Sequence, residues 1–284
     1  MLHLSSTSKL PFPMPFTKMS GTGNDFIIID HRQPFLAAVD LPEFARLVCR
    51  HKFSAGADGL ILIEEDERED FCWQFFNADG SRAEMCGNGA RCAARFAYRL
   101  GIVQASMRFR TLAGVIAAQI VGDGVKIKLT APANLQLARS LDLGELTKTV
   151  YSVNTGVPHV VCFVDDLAGV PVVEWGRIIR YHADYQPAGT NVNFVQATSG
   201  GLAVRTYERG VEGETMACGT GAVASALIAS MIDLAKSPVR VTTSGGEELI
   251  IHLEGQGVGD LPAVYLEGPA KIIYDGQLQA DALS

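Results

Sequence analysis

The sequence predicts an α+β protein of two pseudo-symmetric domains, each a mostly antiparallel sheet or barrel wrapped around a central helix. Three observations carry that prediction. Landmarks recur in order at nearly one offset: Gly23 and Gly156 are 133 residues apart, Gly56 and Gly189 again 133, and Cys86 and Cys218 132. Each half runs through short β-branched and aromatic stretches bounded by Gly, Asn or Asp. Each half then reaches a Cys-Gly-x-Gly phrase that opens a run of small apolar residues with helical character.

In chain order, residues 1–15 read as an N-terminal extension. Pro11, Pro13 and Pro15 interrupt what a signal peptide would need as a continuous apolar run. Strands are expected at 26–30, 60–64 and 71–76. The helix after Cys86 carries Ala93, Phe96, Ala97 and Leu100 at helical spacing, with Gly101 as its stop. Strands follow at 107–111, 115–121 and 125–129, the last two separated by a Gly-Asp-Gly turn. Residues 132–146 read as the crossover between halves. The second half mirrors the first, with strands at 202–207, 240–243, 249–253 and 263–266 around the helix that Cys218 opens. A final strand at 271–274 is expected to return to the first half. The domain reading is therefore 16–131 with the strand region 268–280, then 132–267.

Composition narrows the function. A chain of 284 residues, 48% hydrophobic with net charge −7, can bury a large core. It has no Lys/Arg stripe of the kind that binds nucleic acid. Six cysteines are too sparse for a disulfide scaffold, and without a recognisable signal peptide they suggest reduced thiols in the cytoplasm. Residues 215–232 carry no charge and approach the length of a membrane span. Gly219, Thr220, Gly221, Ser225 and Ser230 dilute that run, so it reads as a buried central helix rather than a membrane segment.

The chemistry lies in Cys86 and Cys218. A thiol at a helix N-terminus faces unpaired N–H groups and the positive end of the helix dipole, which favour the thiolate. Two thiols in matching positions suit proton removal from one face of an α-carbon and delivery to the other, as in a cofactor-independent racemase or epimerase. One must be thiolate while the other is thiol, so their titrations are coupled. Gly87, Gly89, Gly219 and Gly221 would let the backbone approach a bound carboxylate.

The runs Gly-Thr-Gly-Asn-Asp-Phe (21–26), Asn-Ala-Asp-Gly-Ser (77–81), Met-Cys-Gly-Asn-Gly-Ala-Arg-Cys (85–92), Gly-Thr-Asn-Val-Asn-Phe (189–194), Tyr-Glu-Arg-Gly (207–210) and Gly-Glu-Thr-Met-Ala-Cys-Gly-Thr-Gly (213–221) resemble those of the diaminopimelate epimerases, over nearly the whole chain. The resemblance implies an isomerase that interconverts LL- and meso-diaminopimelate, for lysine and peptidoglycan-precursor biosynthesis. It implies no pyridoxal phosphate or other cofactor, no metal, no nucleic-acid or membrane partner, and a homodimer. It assigns Cys86 and Cys218 as the catalytic pair, with His159 and Glu208 supporting the reacting centre. Asn24, Asn77, Gly87, Asn88, Asn191, Glu208, Arg209, Gly219 and Thr220 match substrate-binding positions. In that scheme Arg209 reads the distal carboxylate, a task a guanidinium performs with two parallel hydrogen bonds. The chain departs from the common family pattern at Val157, Met216 and Gly59, and no substrate contact is assigned to position 59.

Two other readings stand beside this one. A proline or hydroxyproline racemase would use a cysteine pair on the same fold, without a cation for a distal amino-acid group. A thiol–disulfide redox sensor would use the same two cysteines differently. A zinc site is weaker, because Cys-x-x-Cys spacing and a His pair are both missing. Read without the resemblance, Asn24 and Asn77 are ordinary turn residues, His159 a structural histidine and Arg209 a surface charge.

Overall fold

The computed structural model describes residues 10–143, 147–255 and 261–284; most of the expected N-terminal extension and the end of the expected crossover lie outside these. The chain divides into two compact units, one ending at Ile127 and completed by Pro269–Ser284, the other spanning Lys128–Gly268.

The first unit contains β1 (Met14–Gly21), β2 (Asn24–Asp30), α1 (Leu41–Val48), β3 (Gly59–Glu64), β4 (Phe71–Asn77), α2 (Gly87–Arg99), β5 (Ser106–Thr111), β6 (Gly114–Val121), β7 (Gly124–Lys128) and the last strand of the chain, β17 (Lys271–Leu278). β1 pairs antiparallel with β17 and β2. From β2 the pairing runs parallel to β3, antiparallel to β4, parallel to β5, then antiparallel to β6 and β7. Met14, fully buried and in register with Leu278, draws the first strand two residues into the segment read as an extension.

The second unit contains β8 (Ala133–Asp142), β9 (Thr147–Asn154), β10 (Pro158–Phe163), α3 (Val172–Arg180), β11 (Asn191–Thr198), β12 (Gly201–Glu208), β13 (Gly213–Thr215), α4 (Gly219–Met231), β14 (Val239–Thr242), β15 (Glu248–Glu254) and β16 (Ala263–Pro269). Its order repeats the first: β10 is parallel to β11, β11 antiparallel to β12, β12 parallel to β14, and β14, β15 and β16 antiparallel in turn. α1 and α3 occupy the same connection in each unit, as do α2 and α4. The α+β architecture is thus one topology written twice.

The recurring glycines have a backbone reason. Gly23 and Gly156 have φ of +87° and +108°, and Gly56 and Gly189 have φ of +67° and +65°, the left-handed region that side chains rarely enter. Thr22 at +49° and Gly23 make the two-residue turn that joins β1 to β2, where both central positions need positive φ.

α2 and α4 are both 13 residues long, and each begins directly after its cysteine. α2 buries Ala90, Ala93, Ala94 and Ala97 against β1, β2, β3 and β6. α4 buries every residue from Gly221 to Ala229, because strands β9, β10, β11, β12, β14 and β15 contact it. Small side chains are what a helix enclosed by a sheet can accommodate. Among the described residues no helix is long and apolar enough to cross a membrane.

The segment read as a crossover is, over 133–142, a strand. β8 pairs with β9 through two register shifts, and nearly all its residues face solvent. Exposure on both faces removes the alternation that would reveal a strand in sequence.

Candidate active site

Cys86 and Cys218 are the N-cap residues of α2 and α4, both extended, with φ/ψ of −144°/120° and −128°/107°. Neither side chain closes a capping hydrogen bond. The N–H groups two and three positions on, of Asn88 and Gly89 and of Thr220 and Gly221, nevertheless favour the thiolates. Burial opposes this and wins. It raises the Cys86 thiol above its ordinary value, against the helix N–H groups and Arg91, and pushes Cys218 up to about 11, with the Glu208 carboxylate adding to the rise. The sequence expectation of easily ionised thiols is therefore corrected: desolvation outweighs the helix ends.

In the first unit a directed chain of hydrogen bonds runs through three carboxamide and carboxylate groups. Arg91, fully buried, donates to Thr22 Oγ1 at 2.6 Å and to Asn88 Oδ1 at 2.8 Å, and more weakly to the carbonyls of Gly87 and Pro269. A guanidinium has only donors, so Asn88 must face it with its oxygen. Asn88 Nδ2 then donates to Asn24 Oδ1 at 2.8 Å, and Asn24 Nδ2 to Asp58 Oδ2 at 3.0 Å. Arg91 and Asp58 were not singled out in the sequence. Asn77 stands apart from this chain, exposed, with its side chain bonded to Ser81 Oγ at 2.9 Å across a tight turn.

Gly59 is explained by packing. A Cβ there would lie 2.6 Å from the Phe75 ring and 2.8 Å from the Phe76 carbonyl, so a longer side chain needs a rearranged β4. Gly87 and Gly219 are different: a Cβ on either would meet one methyl, at 3.7 Å and 3.4 Å. Gly89 and Gly221 are the crowded members of each phrase.

In the second unit His159, on β10 and almost fully buried, meets Thr220 Oγ1 through Nε2 at 2.9 Å and Asn193 Nδ2 through Nδ1 at 3.1 Å. Thr220 Oγ1 lies 3.5 Å from Cys218 Sγ. Burial, with Arg209 in support, drops His159 to about 3, so it is neutral at physiological pH. Asn191 is buried and accepts the N–H of Arg209 at 2.8 Å, while its Nδ2 donates to the Pro158 carbonyl. Arg209 Nη1 donates to the Ala188 carbonyl, and Glu208 accepts from Thr215 Oγ1 at 2.8 Å. Val157 lies in a turn where Asn154 Oδ1 accepts the Gly156 N–H, so that oxygen is engaged locally. Met216 is largely exposed beside the cysteine loop.

Thus the first unit joins Asn24 and Asn88 beside the residue that caps α2, and the second joins His159, Thr220 and Cys218. Asn193 and Thr206, which complete the second cluster, were missed. Their only sequence signal is a polar side chain inside the apolar run of a buried strand.

The sequence pattern of the family described as Diaminopimelate epimerase matches residues 16–135 and 151–273. A diaminopimelate epimerase of Aquifex aeolicus is 47% identical over 95% of this chain and 99% of its own length. That of Hydrogenobaculum sp. is 46% identical over 93% of this chain and 98% of its own. Among solved structures, a phenazine biosynthesis protein of the PhzF family from Bacillus anthracis superposes with TM-score 0.70 at 14% identity, covering 93% of this chain and 98% of that one. A hydroxyproline epimerase from Agrobacterium vitis gives 0.64 at 16%, covering 94% and 93%. At such identities the structural likenesses speak for the fold alone.

Proposed function

The chain belongs to the diaminopimelate epimerase family, and from that premise we propose that it interconverts LL- and meso-2,6-diaminopimelate by proton transfer between two cysteines, without a cofactor. The observation that carries the proposal is the placement of Cys86 and Cys218 as equivalent N-caps on equivalent helices of a duplicated topology.

In the proposed step, one thiolate takes the α-proton and becomes a thiol. The electron pair left on the α-carbon is delocalised toward the α-carboxylate. The other thiol delivers its proton to the opposite face and becomes a thiolate. Atoms and charge balance, and the roles of the sulfurs exchange for the reverse direction. Helix N-terminal N–H groups suit the developing charge on the carboxylate. Gly87, Asn88, Gly219 and Thr220 are proposed to hold the reacting amino-acid end, and Asn24, Asn77, Asn191, Glu208 and Arg209 the rest of the substrate. The raised thiol pKa values fit a carrier that holds its proton in the resting state and needs the substrate's charges to release it.

Proton NMR of LL-diaminopimelate with the reduced protein in heavy water tests this. Loss of one α-proton signal with appearance of the meso isomer is the expected result. A proline or hydroxyproline racemase is the second reading, favoured only by the shared fold. Arg209 argues against it, since those substrates have no distal carboxylate, and turnover of proline without exchange of diaminopimelate would establish it instead. A cytoplasmic homodimer completes the proposal. Sedimentation of the purified protein and fractionation of the source cells check its two parts.

A further inference from the structure

We propose that Asn193 is a positioning residue that holds His159 in its Nε2–H tautomer, so that the Thr220 hydroxyl is left to donate to the sulfur of Cys218. The inference rests on the reading of Cys218 as a proton carrier, but its geometry is independent of the substrate.

The direction of the chain follows from donors and acceptors alone. Asn193 Nδ2 lies 3.0 Å from the backbone carbonyl of Val160, and a carbonyl can only accept. The amide nitrogen therefore faces that side, and Asn193 Oδ1 on the other accepts from Thr206 Oγ1 at 3.0 Å. The second hydrogen of Nδ2 points to His159 Nδ1 at 3.1 Å, which must accept. A neutral imidazole that accepts at Nδ1 carries its proton on Nε2. That proton goes to Thr220 Oγ1 at 2.9 Å. With its oxygen already accepting, the Thr220 hydroxyl has its own proton free for Cys218 Sγ, 3.5 Å away. Val160 thus fixes the amide, the amide fixes the imidazole, and the imidazole fixes the hydroxyl.

The duplicated topology supplies a control. In the first unit the parallel pair β2–β3 places Phe26 opposite Gly59, as β10–β11 places His159 opposite Asn191. Two residues further along each inner strand stand Ile61 and Asn193. Around Gly89, the counterpart of Gly221, the side chains of Ile61 and Phe26 stand beside that of Cys86 itself. Two apolar side chains therefore pack the start of α2, where His159 and Asn193 pack the start of α4. Asn193 is fully buried and His159 nearly so. Burying two polar groups where apolar ones do the same packing costs free energy unless every bond is made, and here each has a partner. Packing alone does not call for this pair; directing a proton toward Cys218 does.

The test uses the reduced full-length protein with 15N-labelled histidine. His159 is assigned by loss of its signals in the His159→Gln variant. Two-bond 15N–1H spectra should show a pyridine-type Nδ1 and a pyrrole-type Nε2, unchanged between about pH 8 and pH 5, well above the value of about 3. A pyrrole-type Nδ1, or an imidazolium in that range, overturns the proposal without any variant. In Asn193→Asp the carboxylate can only accept, so Nδ1 gains the proton. The Thr220 hydroxyl then turns toward Nε2 and away from the sulfur. The kcat for diaminopimelate should fall by about 10- to 100-fold, with KM little changed. Alkylation of Cys218, followed in a Cys86→Ala background, should shift to higher pH. Alkylation of Cys86 in a Cys218→Ala background should not move. An altered tautomer with an unmoved Cys218 profile overturns the relay. If the wild-type tautomer and the Cys218 shift in Asn193→Asp are both as expected but the wild-type protein exchanges no diaminopimelate, the functional reading fails and Asn193 keeps its role.

Discussion

Asn193 Oδ1 fills the space in which a Cβ on Gly221 would have to stand, far inside van der Waals contact. A Cβ there would also press on Cys218 Cβ, at 3.3 Å. The second glycine of Cys-Gly-Thr-Gly is thus fixed by a buried side chain from a neighbouring strand, and not by its own φ. Gly221→Ala should lower stability by roughly 1–3 kcal/mol, because Asn193 cannot withdraw without giving up three hydrogen bonds. Gly219→Ala meets only a Leu266 methyl at 3.4 Å. It should leave stability within about 0.5 kcal/mol of the parent. Urea unfolding of the two variants side by side checks the contrast; equal losses would mean that the Asn193 contact is not what selects glycine.

His159 gives the fold a signature in acid. Its folded value is lowered from 6.5 to about 3 by burial first and Arg209 second. The unfolded chain binds this proton and the folded one does not, so stability is present above pH 6.5 and is lost as pH falls toward 3. The full loss is on the order of 5 kcal/mol. The ordinary carboxyl values of 3.8 and 4.5 leave the upper part of that window to histidine. His159→Gln should flatten the stability–pH slope between about pH 4.5 and 6.5, whatever it does to stability at neutral pH. A slope unchanged in the variant would assign the acid loss to other groups.

How much of this was legible in the sequence depended on how local each signal was. The duplication could be read because left-handed glycines and the Cys-Gly-x-Gly phrases are local signals, set by φ at Gly23, Gly56, Gly156 and Gly189. β8 was missed because its residues face solvent on both sides and carry no alternation. Helices α1 and α3, short at 8 and 9 residues, also went unread. At the site, the Cys-Gly-x-Gly phrases at the helix starts were enough to single out Cys86 and Cys218, whereas Asn88 and Thr220 came only with the family resemblance. Arg91, Asp58 and Asn193 were not found, since each acts by meeting a residue far away in sequence, as Asn193 meets His159 across 34 positions. The thiol pKa direction was misjudged for a related reason. A helix end is visible in sequence, whereas the burial that outweighs it is created by the rest of the fold.

Arg91 carries the first unit's polar chain. Removing its guanidinium would leave Thr22 Oγ1 and Asn88 Oδ1 without their donor and free the Asn88 amide to turn over. Arg91→Met should cost about 3 kcal/mol or more in stability. Arg91→Lys, which keeps the charge but not the fork, should recover part of it. If Asn24 and Asn88 hold substrate as proposed, KM for diaminopimelate should rise more in the methionine variant than in the lysine one. Equal KM values in both would separate Arg91 from substrate binding.

The two site thiols should behave as late-titrating groups rather than activated ones. Cys218 is raised from 9.0 to about 11, first by burial and then by the Glu208 carboxylate. Its alkylation in a Cys86→Ala protein should therefore keep climbing about tenfold per pH unit past pH 9 and level off near 11, where an ordinary thiol has already reached its plateau. Cys49, Cys92 and Cys162, buried and pushed up to about 12, should stay unmodified throughout. Site-resolved mass spectrometry separates all of these from half-buried Cys72, whose value is also raised by burial. The folded protein holds the Cys218 proton more tightly than the unfolded chain. Its contribution to stability is therefore full below pH 9 and lost as pH rises through about 11. Glu208→Gln removes the neighbouring negative charge and should bring the Cys218 midpoint down while leaving that of Cys86 where it was. A midpoint unmoved by Glu208→Gln would mean that burial alone sets the thiol, and that the carboxylate acts on the substrate and not on the sulfur.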